Sequence, residues 1–128
     1  MAKTQFECIS PILRVRDLKV SLDYYVRVLG FAKADWMSDD ATFGMVKRDG
    51  CSLYLCENDQ GCAGTWLWIG VDEVEAVDEE FRKSGAKIRE GLTNYSWAYE
   101  LRIEDPDGHV IRFGSDPKSN LPFKDRTS

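Results

Sequence analysis

The segment Asp105-Pro106-Asp107-Gly108, followed by residues 109–114, decides how the end of the chain folds. Aspartate, proline and glycine in this order are typical of a tight turn, and Gly108 can adopt the positive φ that such a turn requires. Residues 97–104 before the turn and residues 109–114 after it both have the composition of strands. The segment therefore predicts a β-hairpin.

The residues before this hairpin complete a βαβββ unit. Residues 65–71 are typical of a strand, and Val74 and Phe81 fall on one face of the helix that follows. Gly85 comes next, where a residue with positive φ commonly ends a helix. Residues 86–89 then predict a second strand, ahead of the two strands of the hairpin.

The first part of the chain shows the same order of elements. Residues 9–15 predict a strand, Asp17 is a suitable N-cap for the helix that follows, and Gly30 is placed to end that helix. An Asp49-Gly50 pair predicts the turn of a second hairpin. The three strands expected after the first helix are residues 31–37, 42–48 and 51–56.

The two halves correspond to each other residue by residue at their caps and turns. Asp17 corresponds to Glu73, Gly30 to Gly85 and Gly50 to Gly108, with separations of 55 to 58 positions along the chain. Because the whole order of elements repeats, we interpret the chain as two copies of one unit. We expect a single α+β domain, residues 1–128, in which two βαβββ modules form paired curved sheets. The modules are residues 9–57 and 64–115, and residues 116–128 form a loose polar tail.

The composition favours a globular protein with a small ligand. Hydrophobic residues make up 43% of the 128 residues, and the net charge of -5 would repel the phosphates of nucleic acid, so we expect no nucleic-acid partner. Nothing approaches the roughly 18 consecutive apolar residues of a membrane span, and residues 1–10 lack a signal-peptide core. We expect a cytoplasmic protein without a membrane partner, whose four cysteines, none in a CxxC pair, are reduced thiols.

Strand alternation divides the aromatic residues between two faces. Along residues 65–71 it places Trp66 and Trp68 on the face away from the predicted helix, and it places Arg112 on the same face of the last strand. Ser10 and Tyr54 are their counterparts in the first half. Two sheets with such polar and aromatic faces would enclose a cleft if they faced each other. The aromatic residues expected in the core instead are Tyr25, Phe31, Phe81 and Phe113.

The sequence resembles the vicinal-oxygen-chelate superfamily, which comprises glyoxalase, bleomycin-resistance and extradiol-dioxygenase proteins. The resemblance rests on Asp105-Pro106-Asp107-Gly108-His109-Val110-Ile111, on Leu13-Arg14-Val15-Arg16-Asp17-Leu18, on Tyr24-Tyr25 and on Leu29-Gly30-Phe31. It covers about residues 9 to 115, and it implies the fold of paired βαβββ modules that the repeat predicts.

Enzymes of this superfamily hold a divalent metal through His, Gln or Glu at four inward positions. Those positions match Ser10, Tyr54, Trp66 and Arg112 here. Tryptophan does not ligate a metal ion, arginine repels a cation, and neutral hydroxyls alone are poor ligands for transition metals. We therefore expect no bound metal and no cofactor. His109 lies in the hairpin turn, where we expect it to face solvent.

The nearest resemblance is to the metal-free antibiotic-binding proteins of the bleomycin-resistance type. Their clefts are lined by an Asp-aromatic pair after the first helix, by a Trp-x-Trp strand and by a tryptophan of the second half. The residues that match are Asp35-Trp36, Trp66-Leu67-Trp68 and Trp97, with Glu100 following in similar order.

Two assignments stay open at this point. Trp66 and Trp68 either contact a ligand or pack in a dimer or inter-sheet core, since both uses bury an aromatic ring. Tyr54 and Arg112 either contact a ligand, or pair with each other or with Glu100 in a polar network.

The resemblance implies non-catalytic binding and sequestration of a small aromatic or cationic molecule, as in bleomycin-type antibiotic resistance. It also implies a homodimer, because the drug-binding members shape their clefts between subunits. The alternative is a glyoxalase-like lyase or a dioxygenase-like enzyme with a metal-independent or unusual site. A structural or regulatory protein without a small-molecule ligand is the third hypothesis.

Overall fold

The computed structural model describes residues 3–38 and 40–125. The two ends of the expected domain, residues 1–2 and 126–128, lie outside the described residues, as does Asp39. The first helix, Leu18–Asp23, continues directly into a π-helical segment, Tyr24–Val28, and no helix within the described ranges is long and apolar enough to cross a membrane. The elements are β1 Ile12–Arg14, α1 Leu18–Asp23, β2 Ala32–Lys33, β3 Phe43–Arg48, β4 Cys51–Cys56, β5 Trp66–Gly70, α2 Val74–Ser84, β6 Lys87–Asn94, β7 Tyr99–Glu104 and β8 Val110–Ser115.

The strands form two four-stranded sheets with the same topology. The first has the order β1-β4-β3-β2 and the second β5-β8-β7-β6. In each sheet the first pair is parallel and the other two pairs are antiparallel. The expected α+β fold of two βαβββ units is confirmed. The strand expected at residues 31–37 is short, because Asp35 and Trp36 form a turn after β2, and β6 is longer than expected.

The caps and turns predicted from sequence are present. The Asp17 side chain accepts hydrogen bonds from the backbone N–H groups of Lys19 and Val20, as an N-cap does. Gly85 ends α2 with a φ of 88°, and Gly108 has a φ of 80° in the hairpin turn. These positive φ values are the reason why glycine occupies both positions.

One contiguous hydrophobic core contains residues of both halves. Tyr25 packs edge-on against Phe31 with ring centroids 5.7 Å apart, and Phe81 packs edge-on against Phe113 at 5.2 Å. All four side chains are buried, as predicted. The two sheets therefore share the apolar layer that their helices cover.

His109 is buried at the junction of the two halves, so the expectation that it faces solvent is wrong. It is 0% exposed, and its Nδ1 accepts a hydrogen bond from the backbone N–H of Thr65 at 2.9 Å. Its Nε2 lies 2.6 Å from the carbonyl oxygen of Arg14 in the other half. Because Nδ1 is an acceptor, the hydrogen of the neutral ring is on Nε2 and is donated to that carbonyl. The imidazole thus bridges the two modules.

Asp105, at the start of the same turn, is also buried and also joins the halves. Its Oδ2 accepts a hydrogen bond from the Tyr25 hydroxyl at 2.8 Å, and its Oδ1 accepts the backbone N–H groups of Asp107 and His109 at 2.9 Å each. Burial raises the pKa of Asp105 from its ordinary value. The pKa of Tyr25 is held well above its ordinary value, mainly because the hydroxyl is buried and secondly because the negative charge of Asp105 lies close to it.

The C-terminal tail is attached to the second sheet over its described part, residues 116–125, which corrects the expectation of a loose tail. The Asn94 side chain accepts the backbone N–H of Lys118 and donates to the carbonyls of Lys118 and Leu121. Asp125 accepts the backbone N–H of Ser96 at 2.7 Å. The sequence did not reveal this contact because Asn94 satisfies backbone groups that are distant along the chain.

We predict that Tyr25→Phe destabilises the protein by about 1–3 kcal/mol, because the buried Asp105 carboxylate loses a hydrogen-bond donor while the ring volume stays nearly constant. Urea denaturation followed by circular dichroism measures the change. Tyr99→Phe is the matched control, since within the described residues the Tyr99 hydroxyl donates no hydrogen bond, while its ring packs against the core and faces Lys118 as a phenylalanine ring would. Equal stability of wild type and Tyr25→Phe would contradict a stabilising role for this contact.

Candidate functional site

The second sheet presents a face opposite α2, here called the open face, which carries the predicted tryptophans. Trp66 and Trp68 alternate with core-facing residues of β5, and the register places Trp68 beside Arg112. Trp66 is 48% exposed, Trp68 54% and Trp97 51%. The three indoles are therefore outside the core of this chain, and their surfaces are available to a ligand or to a second copy.

A single buried carboxylate, that of Glu100, holds two of these indoles in place. Its Oε2 accepts the Nε1–H groups of Trp68 and Trp97, both at 3.2 Å. Arg112 donates to both carboxylate oxygens, at 2.9 and 2.8 Å, and these hydrogen bonds raise the pKa of Arg112. The predicted pairing of Arg112 with Glu100 is thus observed. Because both indole N–H groups are already used, a ligand at Trp68 and Trp97 meets the ring surfaces.

Two glycines form the surface on which Trp68 lies. A Cβ atom added to Gly114 would come within 2.8 Å of the Trp68 ring, and one added to Gly70 would come within 3.0 Å. The register pairs these glycines on adjacent parallel strands, so the indole lies directly on the backbone. Neither glycine was selected from the sequence.

The other two tryptophan rings are supported by neighbours that sequence reasoning did not select. Trp97 stacks on the buried ring of Tyr95, with centroids 4.7 Å apart and 7° between the planes. The guanidinium groups of Arg89 and Arg102 lie 5.2 and 5.7 Å from the centroid of the Trp66 ring. Alternation along β7 would have found Arg102, since it has the parity of Glu100.

A cavity of about 390 Å³ lies beside Trp68 and Trp97. Asp72 and Asp116 also line it, and within the described residues neither carboxylate forms an ion pair. Aromatic walls with carboxylates nearby suit a ligand that carries a positive charge. Neither aspartate was selected from the sequence, because each lies beyond the end of its predicted strand.

The remaining predicted site residues lie on or beside the first sheet. Ser10 hydrogen-bonds Ser52, oxygen to oxygen, at 2.7 Å, and Tyr54 stacks on Phe43 with ring centroids 5.3 Å apart. Asp35 and Trp36 are exposed in the turn after β2. Across residues 3–38 and 40–125, no hydrogen bond or ion pair joins these side chains to the open face, so Tyr54 does not pair with Arg112. The structure brings together Trp66, Trp68, Trp97, Glu100 and Arg112, and separates from them Ser10, Asp35, Trp36 and Tyr54.

The four positions that hold a metal in related enzymes do not fit a metal ion here. Ser10 and Tyr54 belong to the first half, whereas Trp66 and Arg112 are on the second sheet, and the Arg112 guanidinium is bound to Glu100. Among the described residues, no three His, Cys, Asp or Glu side chains are grouped so that they could hold a metal ion. This donor set supports no metal-dependent step.

A model of the Glyoxalase/Bleomycin resistance protein/Dioxygenase superfamily matches residues 7–113. The chain belongs to this superfamily. The resemblance inferred from the sequence motifs is thereby confirmed. A lactoylglutathione lyase from Neisseria meningitidis is 32% identical over 117 residues, which cover 80% of this chain and 85% of that enzyme.

Solved structures of superfamily members share the fold. The antibiotic binding protein TnmS3 from a Streptomyces species superposes with a TM-score of 0.74 at 23% identity, covering 89% of this chain and 99% of that one. The bleomycin-binding protein of Streptomyces verticillus, solved with copper(II)-bleomycin, has a TM-score of 0.72 at 21% identity, covering 88% and 98%. At these identities the likeness concerns the fold.

We predict that Glu100→Gln destabilises the protein by about 2–3 kcal/mol, because it leaves the partly buried Arg112 without its counter-charge. It should also change the tryptophan emission spectrum, since a neutral amide oxygen is a weaker acceptor than the carboxylate for the Nε1–H groups of Trp68 and Trp97. Urea denaturation and steady-state fluorescence measure both effects. Glu79→Gln breaks an exposed pair with Lys83 and should change stability by less than about 0.5 kcal/mol. An unchanged emission spectrum in Glu100→Gln would contradict the role assigned to this carboxylate.

Proposed function

We propose that this protein binds and sequesters a small aromatic or cationic molecule in the cytoplasm, in the manner of bleomycin-type antibiotic resistance. The observation that carries the proposal is the set of three half-exposed tryptophans on the open face, two of them fixed by Glu100. Sequestration requires no chemical change of the ligand, and its effect depends on affinity and on the amount of protein.

The geometry of the open face explains how a flat ligand would be held. Because their N–H groups are bound to Glu100, Trp68 and Trp97 are rigid before the ligand arrives, which lowers the entropic cost of binding. Their rings can stack on a planar ligand. A positively charged group of the ligand is favoured by Asp72 and Asp116 beside the same rings. Glu100 positions the rings, since its buried carboxylate is occupied by Arg112 and the two indoles.

The proposal includes a homodimer in which the first sheet of one copy covers the open face of the other. Such an arrangement would bring the first-half residues Tyr54 and Trp36 to the tryptophans of the partner. It would also cover apolar side chains that this chain leaves in solvent, including Phe6, 98% exposed, and Ile9, 93% exposed. Exposed apolar surface of this kind commonly marks an interaction site.

We expect light scattering coupled to size-exclusion chromatography to give twice the 14.6 kDa mass of the chain at micromolar concentration. Trp66→Glu, which places a charge in the proposed interface, should shift the protein toward monomer. Lys19→Glu, on the exposed side of α1, is the control with a new carboxylate outside the interface. A wild-type protein that is monomeric at tens of micromolar would exclude the dimer.

For ligand binding, we expect bleomycin to quench tryptophan fluorescence saturably. Trp68→Ala and Trp97→Ala should each weaken binding by about tenfold, because each removes a stacking surface worth roughly 1.4 kcal/mol. Phe123→Ala removes an exposed aromatic ring of the tail and should leave the affinity unchanged. Absence of saturable quenching at high micromolar bleomycin, with no protection of cells that express the protein, would remove the bleomycin assignment.

A glyoxalase-like lyase or a dioxygenase-like enzyme is the second candidate, and the 32% identity to a lactoylglutathione lyase favours it. Metal analysis of the purified protein discriminates between the two. Stoichiometric zinc, nickel, manganese or iron, together with turnover of a glutathione hemithioacetal or a catechol, would support the enzyme. Protein that binds an aromatic ligand and turns over neither substrate would support sequestration.

A further inference from the structure

Each place where the hairpin turn of one module meets the first strand of the other module is here called a junction. The two junctions differ at one equivalent position. In β1 and β4, Ile12 pairs with Tyr54 in the register in which Trp68 pairs with Arg112 in β5 and β8. Counting from these pairs, Cys51 in the first module occupies the position of His109 in the second. By the same count, Gly70 on β5 corresponds to Arg14 on β1.

Both junctions border a cavity, of about 610 Å³ beside Arg14 and about 750 Å³ beside Gly70, but His109 is buried and does not line the first, whereas Cys51 lines the second. The imidazole reaches from the second hairpin to the carbonyl of Arg14. Cys51, a free and partly exposed thiol after the first hairpin turn, is too short for the equivalent contact with Gly70. A cavity of about 750 Å³ is found there, and both Cys51 and Gly70 line it.

The floor of this cavity is apolar and largely aromatic. Three buried phenylalanines contribute to it, two of which, Phe81 and Phe113, pack edge-on against each other. The other apolar side chains of the lining are those of Ile69, Val71, Ala76 and Val77. Such a surface favours a compact ring over a flexible polar ligand.

Apart from Arg48 and the Cys51 thiol, the polar side chains of the lining are carboxylates, which accept hydrogen bonds. The backbone N–H of Val71 is bonded to Gly114, so the carbonyl of Gly70, on the opposite side of the same peptide, points away from β8 and toward the cavity. The carboxylates at the rim are those of Asp49, Asp72 and Glu73, and within the described residues none of them forms an ion pair. Arg48, the cation of the lining, is already bound to Glu80 and to the carbonyl of Leu29.

We propose that this cavity is a second ligand site, for a small aromatic heterocycle that carries an N–H donor, of the imidazole type. The ligand's ring would rest on the phenylalanines, and its N–H would be donated to the carbonyl of Gly70, as His109 donates to Arg14. A positive charge on the ligand would be balanced by Asp49 and Asp72. The site borders the open face through Gly70 and Asp72 and does not depend on the function proposed there.

The direct test uses 4-methylimidazole, which is the histidine side chain without its backbone. In ¹H–¹⁵N spectra of the full-length protein, it should saturably shift the amide signals of Cys51, Val71 and Val77 and leave the indole signal of Trp97 in place. 4-Methylthiazole, which has the same size and no N–H donor, should bind at least tenfold more weakly. Absence of saturable shifts, equal binding of the two probes, or shifts confined to the tryptophan indoles would overturn the proposal.

Filling the cavity provides an independent test. Cys51→His supplies the ring from the chain itself, so it should raise the melting temperature and weaken 4-methylimidazole binding at least tenfold. Cys62→His, at an exposed cysteine of the loop before β5, should change neither. Val77→Met fills the same space from α2 and should weaken binding even if Cys51→His does not fold. Unchanged affinity in both folded variants would refute the site.

Discussion

The buried carboxylate of Asp105 is the constraint on which the arrangement of the two modules depends. It satisfies the backbone of its own hairpin turn and accepts the hydroxyl of Tyr25 from the other half. A carboxylate that is buried away from water must have such partners, because burying it unpaired lowers the stability of the fold by several kcal/mol. The turn therefore cannot move relative to the first helix without breaking this set of hydrogen bonds. His109, next to the turn, adds a further bridge to Arg14.

The open face depends on that arrangement because its two central strands, β7 and β8, meet at this hairpin. β7 and β8, which carry Glu100 and Arg112, are the two arms of the turn that Asp105 fixes. With the arms in register, Glu100 pairs with Gly114 of β8, and its carboxylate meets the indole of Trp68, which lies over that glycine, and the indole of Trp97, three residues earlier in the chain. The buried carboxylates thus have separate roles: Asp105 joins the modules, and Glu100 orients the aromatic surface.

The internal repeat also explains why the surfaces of the two modules differ. The same backbone places histidine at one junction and cysteine at the equivalent junction; the histidine is buried and does not line the cavity beside it, whereas the cysteine is part of the lining of the other cavity. The same strand positions carry Trp68 and Arg112 in one sheet and Ile12 and Tyr54 in the other. A duplicated fold therefore supplies two different faces, and a binding site that needs both requires a second copy or a large ligand.

The sequence by itself determined the order of elements, their caps and turns, and the parity of the strands. These follow from local chemistry: the N-cap carboxylate of Asp17, the positive φ at Gly85 and Gly108, and the alternation that separates Trp68 from the core. It also determined which residue types occupy the four positions at which enzymes of the superfamily hold a metal ion. Only the tertiary structure decided that His109 is buried, that the tail is held by Asn94, and that Glu100 binds two indoles and Arg112. Most of these contacts join groups that are distant along the chain, and even for Trp97, three residues before Glu100, strand alternation gives the side of a sheet but not the partner that a side chain meets there.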